Sequence, residues 1–172
     1  MALAGSYLDR EELAARLGPA QAALVRGDWI DPTGTFADAT KIARRNEWRA
    51  FLDGELVTAS AAINDRLRKR YAAPFDAPTP AIILRWLVAL VMPKIYEGRG
   101  WDASDAQAGS LLKREDRALD EMKEAADAEN GLFDLPLRQD QQQSAVTEGG
   151  PYVYSEPDSY TWMDVQRAAV RR

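Results

Sequence analysis

The sequence predicts an all-α chain, a helical bundle of four to five helices with an extended C-terminal arm, and two observations predict it. Apolar residues recur at intervals of three and four through long proline-free stretches, the period of a helix with one buried face. Prolines and glycines fall in clusters between those stretches, where they punctuate the chain. An apolar fraction of 46% suits a chain that folds. Its 172 residues suffice for one domain with length to spare, and the expected division is a helical domain over residues 1–137 and an arm over 138–172.

The first helix is announced by Asp9, a residue type whose side chain caps orphan backbone N–H groups. Glu12 stands three positions on as its capping-box partner, and Leu8 and Leu13 form a hydrophobic staple. Gly18 and Pro19 end that helix, and Pro19 opens a second one through Val25. The stretch from Gly27 to Gly34, with Asp28, Asp31 and Pro32, reads as loop. From about Ala37 to Arg70 no proline occurs, and Ile42, Trp48, Phe51, Leu52, Leu56, Ala59, Ile63 and Leu67 follow helical spacing. One long amphipathic helix is predicted there, with Gly54 a candidate break. Pro74, Pro78 and Pro80 make residues 71–80 an extended connector, because proline disfavours the helical region for the residue before it.

Ile82, Ile83, Trp86, Leu87, Leu90, Val91 and Ile95 cover much of a helix's circumference, so this segment is expected to be the most buried, with Pro93 kinking its last turn. A further helix from about Ser104 to Ala128 sets Leu111, Leu112, Leu119 and Met122 against dense alternating charge, and Gly131 stops it. Beyond Leu132 the pattern dissolves into a polar run, Gln139 to Gln143, and then the aromatics Tyr152, Tyr154, Tyr160 and Trp162. Such a segment builds no core of its own. It either packs back on the bundle or anchors on a neighbouring subunit, where Tyr and Trp are favoured.

The composition removes whole classes of chemistry. Without cysteine there is no disulfide, thiol nucleophile or thiolate metal site, and without histidine the commonest neutral-pH base and imidazole ligand are missing. No enzyme activity, metal or cofactor is expected. Gly98 and Gly100 lie between two helices and do not form a phosphate-binding loop after a strand. Ser110 and Lys113, one helical turn apart, are a pairing expected by chance in a charged helix. Asp116 and Asp120 alternate with Lys113, Arg114, Arg117 and Lys123 as a solvated face would. A net charge of −5 speaks against a free-standing nucleic-acid binder. Arg66, Arg68, Lys69 and Arg70 form the strongest basic cluster, placed either to complement a helix C-terminus or to touch passing DNA. The start lacks a signal-peptide pattern, and the longest apolar run, 81–92, contains Arg85 and is too short to span a bilayer. Synthesis in the cytoplasm and no membrane partner are the expectation.

The run from Ala61 to Phe75 resembles the signature of the Mu-type head-completion, or head-to-tail joining, proteins of tailed bacteriophages. In that family a helix ends with an Ile-Asp pair, a Leu, an Arg-Tyr pair and a Leu-Pro-Leu-like exit. Ile63, Leu67, Arg70, Tyr71, Pro74 and Phe75 match in order and spacing. The opening from Tyr7 to Leu13 with Arg16 to Gly18, the proline-led apolar helix after Pro80, and the Leu132 to Pro136 ending are similar too. The resemblance covers roughly residues 7–137. Departures are Asn64 for the usual Asp, Arg66 where an aromatic is common, an enlarged Lys41 to Phe51 region and the tail after Arg138.

The resemblance implies a virion structural protein at the neck, an adaptor whose copies form a ring, commonly of twelve, beneath the portal protein. Such a ring extends the DNA channel, makes transient contact with passing DNA, and presents a surface to the next neck or tail protein. Trp48, Phe51, Tyr152, Tyr154 and Trp162 are the candidate interface residues, with core packing the plain alternative for Trp48 and Phe51. A cytosolic helical regulatory protein binding a host protein or DNA is the alternative from another class; a small hydrolase using carboxylates alone is a third.

Overall fold

The computed structural model describes residues 3–31, 38–100, 106–127, 132 and 135–138. By its contacts the chain divides into two compact units, Met1–Pro136 and Leu137–Arg172. Only Leu137 and Arg138 of the second are among the described residues, so the candidate residues Tyr152, Tyr154 and Trp162 lie outside them.

Five helices make up the first unit: α1 (Arg10–Ala15), α2 (Pro19–Arg26), α3 (Ala39–Leu67), α4 (Ala81–Gly98) and α5 (Ala106–Ala126), with a 3-10 turn at Asp28–Ile30. The described residues contain no strand element, and the all-α class stands. The capping box at α1 forms as read: the Glu12 N–H donates to Asp9 at 2.8 Å and the Asp9 N–H to Glu12 at 3.1 Å. Leu8 and Leu13 are both buried beneath it. Pro19 opens α2, and Gly27 closes it in the left-handed region at φ 75°. The stretch read as loop after Gly27 therefore begins with a turn of 3-10 helix.

α3 runs through Gly54 without a break over 29 residues, about 43 Å at the α-helical rise. Its buried positions Trp48, Leu52, Leu56, Ala59, Ile63 and Leu67 step by three and four along one face, with Ser60 buried beside Ala59. None of the first nine residues of the helix is fully buried, a stretch of about 13 Å. Asp38 caps it, accepting the Thr40 N–H at 2.8 Å.

α4 is the central element, packed against both α3 and α5. It buries Ile83, Leu84, Trp86, Leu87, Leu90, Val91, Met92, Pro93 and Ile95, the all-round burial its composition predicts. The helix continues through Pro93 to Gly98. α5 lies within the expected span from Ser104 to Ala128, of which residues 104, 105 and 128 are outside the described residues, and its inward face is Leu111, Ala118, Met122 and Ala125. Leu112, read as part of that face, is exposed. It is one residue from Leu111, a rotation of about 100° on a helix that turns once per 3.6 residues, and it cannot share the stripe.

Candidate functional site

Three places carry the unusual side chains. The first joins the chain's opening to the end of α3. Tyr7 donates its hydroxyl hydrogen to Asn64 on α3 and accepts the Phe75 N–H at 3.2 Å. Its ring lies 6.2 Å from that of Phe75, and its own N–H donates to Ser60 at 3.2 Å. Partial burial raises the Tyr7 hydroxyl pKa above the ordinary tyrosine value, the hydrogen bonds from Phe75 and to Asn64 pulling the other way. Asn64 thus holds the inner end of this contact as a neutral acceptor.

Next along the chain, Tyr71 is fully buried, donates to the Ala125 carbonyl at 2.8 Å and accepts the Leu132 N–H at 2.7 Å. The last carbonyls of a helix have no partner within it, so the hydroxyl satisfies one of them at the end of α5. Arg70 satisfies another, donating to the Asp127 carbonyl. The backbone joins in: the Ala72 N–H donates to the Pro136 carbonyl at 2.9 Å. The Arg-Tyr pair of the signature is therefore a clasp between the end of α3, the end of α5 and the segment after it. Of the basic cluster, Arg66, Arg68 and Lys69 are exposed, with Arg68 paired to Asp65 at 3.3 Å, while Arg70 is committed to α5. The family resemblance flags Tyr71; its partner helix is not readable from spacing.

The second place is an aromatic ledge at the junction of α3 with the C-terminal end of α4. Trp48 is buried, and its indole N–H donates to the Leu24 carbonyl at 3.0 Å, capping α2. Phe51 stacks on it at 5.4 Å and Trp29 meets it edge-on at 5.4 Å. Arg99 lies 5.8 Å from the centre of the Trp29 ring. Trp29 is 38% and Phe51 36% exposed, and Ile42, on the N-terminal part of α3, is 43% exposed. Gly98 makes the stacking possible, because a Cβ there would lie 2.9 Å from Phe51 and 3.1 Å from Trp48. The two α3 aromatics singled out from sequence thus differ: Trp48 is a core and capping residue, and Phe51 is its half-exposed cover. Trp29, on the 3-10 turn, completes the ledge and was missed because a lone Trp in a stretch that reads as loop has no periodic neighbours. Asp31, buried beside the ledge, pairs with Lys41 at 3.3 Å, and Arg45 reaches Asp28 at 3.7 Å and the Arg26 carbonyl at 3.3 Å. These contacts tie the start of α3 to the turn below.

The third is a groove of about 350 Å3 with α4 as its floor, α5 as one wall and Leu17 and Gln21 on the other. Trp86, Val88, Met92 and Leu111 make it apolar. At its edge Glu121 accepts from the Trp86 indole at 2.9 Å, from Arg117 at 3.0 Å and from Arg85. These donors, the Trp86 indole foremost, hold the Glu121 carboxyl below its ordinary pKa. On the same helix, burial pushes Glu115 the other way. Ser110 and Lys113 form no hydrogen bond to each other among the described contacts, and no group of three acidic residues is placed to hold a metal ion among the described residues. No buried side-chain polar atom of the described residues lacks a hydrogen-bond partner. No helix among them is long and apolar enough to cross a membrane.

The described residues form an all-helical bundle whose most distinctive side chains clasp its own helix ends, with half-exposed aromatics at one edge. The chain belongs to the Bacteriophage Mu, Gp36 family, whose model matches residues 7–152. The match begins at Tyr7, as the sequence resemblance does, and extends fifteen residues past Leu137, so the first part of the tail belongs to the family pattern as well. Neither the curated proteins nor the solved structures contain a match to this chain.

Proposed function

We propose that the chain is a head-to-tail connector adaptor: one copy of a homo-oligomeric ring, commonly a dodecamer, that sits beneath the portal protein at the virion neck. DNA passes through the ring, and the downstream neck or tail protein docks on it. It works by geometry and interface complementarity, without catalysis and without a cofactor. The observation that carries this reading is the family match across residues 7–152, which takes in the clasp residues Tyr7, Tyr71 and Phe75.

The physical layout supports the job. The start of α3, with Ile42 exposed and the ledge of Trp29 and Phe51 at its foot, offers apolar surface of the kind that interface centres use. It coincides with the enlarged Lys41 to Phe51 region, where this chain departs from the family pattern. Arg66, Arg68 and Lys69 are the cations free of the clasp and suited to transient, sequence-independent contact with DNA. Tyr152, Tyr154 and Trp162 would supply an arm that adds interface area without enlarging the core.

The test is quantitative mass spectrometry of gradient-purified particles, counting this chain against the portal subunit. A near-equal ratio is expected; absence from particles would refute the adaptor reading and favour a regulatory protein of the host cytoplasm. Deleting residues 139–172 is expected to reduce incorporation, and unchanged incorporation would rule out the arm.

A further inference from the structure

The groove between α4 and α5 has a chemistry that fits one segment of this same chain. Its floor is apolar, its rim carries Arg85, Arg114 and Arg117, and its carboxylate is Glu121, so the four charges sum to about +2 at neutral pH. Arg85 and Arg117 share Glu121 yet keep 61% and 80% of their side chains exposed. Arg114, also exposed, has no ion-pair partner among the described residues. A bound segment would therefore need apolar side chains for the floor and carboxylates for the rim.

Residues 139–166 have that composition. They contain five carboxylates (Asp140, Glu148, Glu156, Asp158 and Asp164), no lysine or arginine, and the aromatics Tyr152, Tyr154, Tyr160 and Trp162. The acids Glu156 and Asp158 lie between the two aromatic pairs, and the two-residue spacing of all six would set them on one face of an extended segment, in the order two rings, two acids, two rings. The reach also fits. Thirteen residues lie between Arg138 and Tyr152, and the fourteen steps from one to the other span up to about 46 Å when extended. A compact unit of this size has a radius of gyration of about 14 Å and hence a diameter of about 36 Å. The tail is long enough to cross the width of one subunit.

We propose that the aromatic-acidic segment 152–164 of one copy docks in the α4–α5 groove of a neighbouring copy, its rings on the part-exposed Val88 and Ala89 and its carboxylates on Arg114 and Arg117. The inference deepens the ring reading, on which it rests, by naming the contact that links successive copies. In a closed ring each copy both gives and receives one tail, so the interface is heterologous and repeats until it closes.

The experiment places a photo-activatable phenylalanine analogue at Tyr154 in the full-length chain and mixes isotopically light and heavy copies. Crosslinks between light and heavy copies, mapped to Val88, Ala89 or Arg114, are expected. Crosslinks confined to one copy, crosslinks to any other face, or none at all would overturn the proposal. The double change Arg114→Glu and Arg117→Glu is expected to cut the intercopy yield about tenfold, and Glu156→Arg with Asp158→Arg in the same chain to restore it. Failure of the compensating pair to restore the yield overturns the charge pairing, since a folding defect in the first variant would not be rescued by changes in the tail. Particle composition tests the ring reading separately: a chain present in particles whose tail crosslinks elsewhere keeps the adaptor and loses this contact.

Discussion

Replacing Tyr71 by Phe removes one oxygen atom and asks whether the signature's Arg-Tyr pair is a structural clasp. The ring stays, so almost no apolar contact is lost, and the effect isolates two hydrogen bonds: the hydroxyl to the Ala125 carbonyl at 2.8 Å and the Leu132 N–H to the hydroxyl at 2.7 Å. Tyr71 is 0% exposed and Ala125 is buried, which leaves no solvent to replace the lost donor. A buried group stripped of its partner costs about 1–3 kcal/mol. The carbonyl takes the upper part of that range and the partly buried N–H the lower, for a total of about 3 kcal/mol. In a unit of this size that corresponds to about 10 °C in melting temperature. Urea unfolding followed by far-ultraviolet circular dichroism reads it directly, with the slope against denaturant expected to stay constant because the surface exposed on unfolding does not change. Tyr7→Phe is the internal comparison: its hydroxyl is only half-buried, and the loss there is expected to be about 1 kcal/mol. A Tyr71→Phe loss below about 0.5 kcal/mol, or one smaller than that of Tyr7→Phe, would refute the clasp.

Glu121→Gln and Glu115→Gln are expected to move stability in opposite directions at pH 7. The Glu121 carboxyl is held below its ordinary value by the Trp86 indole and its arginines; its contribution is present above the unfolded-state value near 4.3 and is lost as pH falls through the lower folded value, so the variant melts lower at pH 7 and converges with the parent in acid. Glu115 is raised by burial, so its ionised form destabilises the fold above that raised value; Glu115→Gln melts higher at pH 7, and the gain vanishes as pH falls below the unfolded value. Gly27→Ala is expected to cost about 2 kcal/mol, the left-handed φ of 75° and a Cβ 3.1 Å from Trp48 adding in the same direction, and a thermal melt without loss would contradict the cap geometry. For the basic cluster, Arg68→Ala with Lys69→Ala is expected to leave the melting temperature within about 2 °C, while Arg70→Ala lowers it; equal effects would mean that Arg70 is not committed to α5.

The helices were legible because each is written in a local code. Asp9 and Glu12 spell a capping box, Pro19 and Gly27 bracket α2, and the three- and four-residue steps from Trp48 to Leu67 predict one continuous buried face. Gly54 was a candidate break, yet the helix passes through it: a single exposed glycine costs about 1 kcal/mol, less than the buried contacts of Leu52 and Leu56 on either side return. Leu112 misled because two adjacent leucines satisfy a hydrophobic count without sharing a face. The clasp was half legible. Arg70 and Tyr71 stood out through the family resemblance, but that they close on the Asp127 and Ala125 carbonyls depends on contacts 57 and 54 residues apart, which no periodicity encodes.

The two ends of α3 divide the labour of the unit. Its C-terminal end is fixed on every side: Asn64 holds Tyr7, and Arg70 and Tyr71 just beyond it hold the end of α5. A change there is felt in the helix ends it joins, so this end tolerates little besides the signature. At the N-terminal end Lys41 pairs with Asp31 and Arg45 with Asp28, and none of the first nine residues of the helix is fully buried. Substitution on that stretch therefore changes surface while leaving the core alone. A structural subunit that must fit a particular neighbour needs both properties, an unchanging frame and a face free to vary. The signature residues singled out in the sequence, Ile63, Leu67, Arg70 and Tyr71, lie at the C-terminal end, where the contacts to Tyr7 and to α5 are made.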